Sequence, residues 1–131
     1  MAITKTTLKL DKICKSVMNV DRNVRSVAIM DNMGRLVHNE VHRGFIQPSF
    51  DKCNNVNYME CIFDISMGAK LDDLYGPIRY HHSDKDDFMM FSFPYYKNVI
   101  IVTSTKKVSP IAFATKISQF INDVLVKPNK K

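Results

Sequence analysis

Two apolar stretches joined by Asp31-Asn32-Met33-Gly34 constrain this chain more than any other feature. Val24-Arg25-Ser26-Val27-Ala28-Ile29-Met30 reads as a strand, and Arg35-Leu36-Val37-His38-Asn39-Glu40-Val41 as its antiparallel return. The four residues between them tolerate the positive φ of a tight turn. In the first strand Val27 and Ile29 face one way; Ser26, Ala28 and Met30 face the other. In the second, Val37 and Val41 oppose His38, Glu40 and His42. A strand with a polar side belongs at a sheet edge or a solvent-facing flank.

The remaining elements follow from period and punctuation. Leu10, Ile13, Cys14, Val17 and Met18 recur at helical spacing before a polar turn at 19–23. Residues 43–57 are polar, contain Gly44 and Pro48, and read as a loop. Residues 58–75 read as a central helix closed by Gly76-Pro77. Tyr58, Met59, Cys61, Ile62, Phe63, Ile65, Met67, Ala69, Leu71, Leu74 and Tyr75 cover most of its circumference, so it needs cover on two sides. A half-polar strand is expected at 78–82, where Ile78, Tyr80 and His82 alternate with Arg79 and His81. Phe88-Met89-Met90-Phe91-Ser92-Phe93 and Val99-Ile100-Ile101-Val102 are apolar on both faces and predict central strands. Residues 83–87 and 94–98 are the expected hairpin turns. Ser109-Pro110 opens a last helix as N-cap and N1, with Ile111, Ala114, Ile117, Ile121, Val124 and Leu125 as its apolar face.

The order is α-β-β-α-β-β-β-α, and the fold class is α/β of the α+β kind, a central antiparallel sheet with helices on both faces. At 131 residues it reads as a single domain, 1–131, with enough chain for a real core and a basic tail at 127–131. Cys14, Cys53 and Cys61 form no CxxC and are odd in number, which suits reduced thiols in an intracellular, cytoplasmic protein. No signal peptide and no run of ~20 apolar residues is visible.

This order resembles the roadblock/LC7 domain of the profilin-like and longin-like group. The segment 24–37, with Asp31-x-x-Gly34 ending its first strand, looks like the roadblock hairpin, and the resemblance covers roughly residues 8–126. Gly76-Pro77, Ser92-Phe93-Pro94 and Asn98-Val99-Ile100-Ile101-Val102 are similar, as a set, to a small family of archaeal proteins common in ammonia-oxidising archaea. The resemblance implies a five-stranded antiparallel sheet with the first and last helices on one face and the middle helix on the other. It also implies a dimerising regulatory module whose partner is often a small Ras-like GTPase.

Charge adds a second surface. Residues 1–50 carry eight Lys/Arg against four Asp/Glu, 51–100 five against eight, and 101–131 six against one. The ends are basic and the middle acidic. In the arrangement the resemblance implies, the first and last helices lie side by side, which makes Lys9, Lys12, Lys15 and Lys116 candidates for a basic face that binds an acidic partner. A protein partner is favoured over nucleic acid, because no aromatics interleave with these lysines to stack on bases. The candidate dimer interface is Tyr58, Met59, Ile62, Phe63, Ile65 and Met67 of the middle helix, with Ile78 and Tyr80 of the strand after it.

No nucleophile motif, phosphate loop or glycine-rich cradle is present, so no catalysis and no cofactor are predicted. His38, Glu40 and His42 have a strand spacing that can chelate zinc, but no fourth ligand is indicated and a solvated face is expected instead. His81 and His82 are adjacent on a strand and should point to opposite faces. Asp72-Asp73 and Asp84, Asp86 and Asp87 lack calcium-loop spacing and read as solvated turns. The eight methionines read as core filling, with those on the middle helix suited to an interface. The function expected is a non-enzymatic dimeric scaffold. A ligand-sensing domain with a pocket between sheet and helix is one alternative, and a nucleic-acid accessory protein using the basic ends is another.

Overall fold

The computed structural model describes residues 5–42, 76 and 78–126; the expected middle helix, the 43–57 loop and the tail from 127 lie outside these described residues. Helix α1 spans Lys5–Met18. Strands follow at Val24–Met30 (β1), Leu36–Val41 (β2), His81–Asp84 (β3), Met89–Tyr95 (β4) and Asn98–Ser104 (β5). Helix α2 spans Pro110–Phe120 and continues as a π-helical turn, Ile121–Val126. The strands form one five-stranded sheet in the order β2-β1-β5-β4-β3, antiparallel throughout.

The β1–β2 hairpin is organised by Asp31. Its Oδ1 accepts from the Met33 and Arg35 N–H groups, each at 2.9 Å, while its Oδ2 meets Arg35 Nε at 2.8 Å. Gly34 takes φ +84°, a conformation that glycine adopts without Cβ strain. The register then sets Ile29 opposite His38 and Val27 opposite Glu40. Opposed residues of an antiparallel pair share a face, so His38 and Glu40 look to the same side as Val27 and Ile29.

That side is covered by α1 and α2. Ile13, Cys14 and Val17 of α1, Val27 and Ile29 of β1, Phe91 and Phe93 of β4, Ile100 and Val102 of β5, and Phe113, Ala114 and Ile117 of α2 form the main core. Phe91 and Phe113 meet with ring centroids 4.9 Å apart. The opposite face carries a second buried cluster of Ala28, Met30, Met90, Val99 and Ile101. Alternation along β1, β4 and β5 thus puts apolar side chains into both clusters, as their sequences require.

Three expectations need correction. The strand expected at 78–82 begins at His81 and runs to Asp84, and residues 78–80 are irregular. Its partner explains the shift. Tyr95 and Asn98 close a two-residue hairpin, so Tyr95 bonds β5 and the next donor position toward β3 is Pro94, which has no N–H. The ladder to β3 therefore stops at His81–Ser92. The turns are correspondingly shorter: Lys85 N–H bonds the Phe88 carbonyl at 3.0 Å around Asp86-Asp87, and Tyr96-Lys97 alone joins β4 to β5. In the last helix Ile111 is 73% exposed and Val124 52%, whereas Phe113 is buried. Ile111 lies two positions from Phe113, hence on the opposite side, and the wider π-helical turn rotates Val124 away from the line of Ile117 and Ile121.

Candidate functional site

Helix α1 packs across β1 and β2. Asp11 and Lys15 stand one turn apart on it, Nζ to Oδ1 3.3 Å. Below them on β2 are His38 and Glu40, two residues apart on the same strand face. His38 Nε2 lies 3.2 Å from Glu40 Oε2 and 3.4 Å from Asp11 Oδ1. Lys15 Nζ also reaches to 3.8 Å from Glu40 Oε2. Asp11, His38 and Glu40 are all half-buried, with one donor atom from each lying within 4.8 Å of the others. Asp11 is held below its ordinary carboxyl value, first by its hydrogen bond with Glu40 and further by Lys15 and His38. Cys14, the next helical neighbour facing inward, is fully buried; desolvation, then the Glu40 and Asp11 charges, pushes its thiol up to about 12. It is a packing residue, with no thiolate to act as nucleophile or ligand near neutral pH.

This cluster was not visible as a set in the sequence. Strand alternation pointed to His38, Glu40 and His42; the described third member is Asp11, which comes from the helix. The available signal was the Asp11–Lys15 spacing on the face of α1 beside its apolar stripe.

The basic-face candidates are placed on two helices that share one side of the sheet. Lys9 and Lys12 are exposed. Lys15 is paired within the cluster, and Lys116 of α2 lies 3.2 Å from Asp21. Two of the four charges are therefore partly compensated inside the chain. Of the interface candidates, Tyr58, Met59, Ile62, Phe63, Ile65 and Met67 lie outside the described residues. Tyr80 packs inward on the main core, its ring centroid 6.2 Å from that of Phe93. Ile78 lines a groove of about 460 Å³ with Gly76, Arg79, Pro94, Ser118 and Asn122.

His81 and His82 do take opposite faces. His82 stacks on Phe91 at 4.8 Å, while the buried Nε2 of His81 has no hydrogen-bond partner among the described residues. Asp84 is not simply solvated: Lys106 pairs with it and also donates to the Lys85 carbonyl. No helix among the described residues is long and apolar enough to cross a membrane.

The five-stranded antiparallel sheet, its strand order and the two terminal helices on one face define a roadblock/LC7-like fold. No family model and no curated protein matches the chain. Among solved structures, an MglB with a tetrameric arrangement superposes with a TM-score of 0.72 at 7% identity, covering 97% of this chain and 92% of that one. MglB of Myxococcus xanthus gives 0.64 at 12% identity, over 100% of this chain and 98% of that one. A roadblock/LC7 domain from Streptomyces avermitilis gives 0.61 at 10% identity, over 88% and 96%. At such identities the fold is what is shared.

Proposed function

We propose that the chain is a non-enzymatic interaction module that forms a homodimer and engages a second, acidic protein, with a small Ras-like GTPase as the partner class to test first. The observation that carries the reading is the fold: a roadblock/LC7-like sheet, similar over nearly its whole length to an MglB with a tetrameric arrangement. The step from fold to function is analogy. Two features of the chain support it. The stretch 58–75 is apolar nearly all round in sequence, and Tyr58, Met59, Ile62, Phe63, Ile65 and Met67 would supply the dimer contact. The sheet also ends in a short edge strand, β3, whose outward backbone groups suit pairing with a second copy. Lys9, Lys12 and Lys116 on the helical side would meet the acidic partner, with Lys15 the fourth.

Light scattering after gel filtration tests the dimer. It should give twice the 15.1 kDa of one chain, falling to one chain in Phe63→Asp or Ile65→Asp. A monomer at micromolar concentration sinks the reading. Pull-down with the nucleotide-loaded GTPases of the native lysate tests the partner. A second reading, a small-molecule sensor, is favoured by the groove beside Ile78 and Arg79. Ligand-dependent melting that is abolished by filling the groove with Ser118→Trp would select it.

A further inference from the structure

We infer that Asp11, His38 and Glu40 bind a zinc ion that joins helix α1 to edge strand β2, with Lys15 as the internal cation that the metal displaces. The donor set is one imidazole nitrogen and two carboxylates, a three-ligand mixture that leaves the fourth tetrahedral position to water. Spacing fits the ion. Bonds of ~2.0–2.1 Å in a tetrahedron put neighbouring donors ~3.3 Å apart, and His38 Nε2 lies 3.2 Å from Glu40 Oε2 and 3.4 Å from Asp11 Oδ1. The third pair of donor atoms, on Asp11 and Glu40, lies within 4.8 Å.

Hydrogen bonding alone leaves this arrangement short. Nε2 carries at most one proton and can donate it to one carboxylate at a time. With both carboxyls ionised, the site would hold two negative charges half-buried, of which Lys15 returns one. A divalent ion balances both carboxylates and uses the imidazole lone pair. Lys15 is free to leave: its side chain is 58% exposed on a flexible stem. The ligands are not free to scatter. His38 and Glu40 are fixed by pairing with Ile29 and Val27, and Asp11 by the burial of Ile13, Cys14 and Val17 on its own helix. Preorganisation of this kind is what a metal site needs. The inference stands apart from the dimer reading and does not depend on it.

Calorimetric titration of the purified full chain with zinc chloride tests it. One zinc per chain is expected, with a rise in melting temperature. Asp11→Asn and His38→Ala should each weaken binding by more than about 10-fold, the loss typical of even an outer-shell partner. Lys15→Met, which removes the competing cation, should tighten it, and His42→Ala should leave it unchanged. Absence of stoichiometric binding overturns the inference. So does binding that survives Asp11→Asn, or binding lost in His42→Ala, either of which would place the ion elsewhere. Should Asp11→Asn fail to fold, Lys15→Met still decides, since unchanged or weaker affinity there contradicts the displaced lysine.

Discussion

Lys116 Nζ lies 3.2 Å from Asp21 Oδ2, joining the last helix to the turn that ends the first. The same carboxylate organises that turn: Asp21 Oδ1 accepts from the Asn23 N–H at 2.8 Å and from Asn23 Nδ2 at 3.2 Å. Asn23 in turn accepts from Thr105 Oγ1 at 2.8 Å, on the residue that follows β5. One short polar relay therefore links the last helix, the turn after α1 and the chain leaving β5.

Acid should weaken this relay in a defined window. Partial burial raises the Asp21 pKa, but the Asn23 backbone N–H and Lys116 outweigh it and leave the carboxyl below its ordinary 3.8. A carboxyl lowered in the folded state stabilises fully above its unfolded value and loses that contribution as pH falls through the folded one. The stability gap between the natural chain and Asp21→Asn, read from urea melts, should be constant near neutrality and close below pH 3.8. Lys116→Met should cost less than about 1 kcal/mol, because the lysine is half exposed.

The β1–β2 turn gives a backbone prediction. Gly34 sits at φ +84°. Gly34→Ala should destabilise by about 1–2 kcal/mol, the cost of a left-handed L-residue, and Gly34→Asn by less. Thermal melts of the two variants check the order. Equal loss in both would mean that packing rather than φ selects glycine here.

Cys14 should be chemically silent in the native protein. It is fully buried with its thiol pushed up to about 12, and alkylation requires the thiolate. Peptide mapping after iodoacetamide at pH 8 should find Cys14 unmodified until denaturant is added. Labelling at a rate that ignores denaturant would show that α1 opens locally away from the sheet.

How much of this was legible in the sequence depends on what each feature answers to. Val27 and Ile29 against Ala28 and Met30 were readable because a strand's period is a property of its own residues. The start of β3 was not, since it is set by Pro94 on the neighbouring strand. Phe113 was missed and Ile111 overrated in the last helix because Pro110 fixes where the helix starts but not which side meets Phe91. The Asp11–His38–Glu40 cluster was half legible. Alternation aligned His38 with Glu40, but only the packing of α1 over β2 brings Asp11 to them.

The dimer reading has a consequence for single backbone amides in β3. In the two-residue turn at Asp86-Asp87, Lys85 bonds Phe88, so Ser83 and His81 bond β4 and the N–H groups of His82 and Asp84 point to the outer edge of the sheet. An outer-edge amide with no partner exchanges with solvent readily, whereas one bonded to a second copy is protected. Hydrogen exchange by NMR should therefore find His82 protected at concentrations where the chain is dimeric. That protection should vanish on dilution or in Phe63→Asp, while the Ser83 amide, bonded to β4 within one chain, stays protected throughout. A His82 amide that exchanges freely in a proven dimer would move the contact off this strand and leave it to the 58–75 stretch alone. Protection that persists in the monomeric variant would show that the chain covers its own edge, and pairing through β3 would then be ruled out.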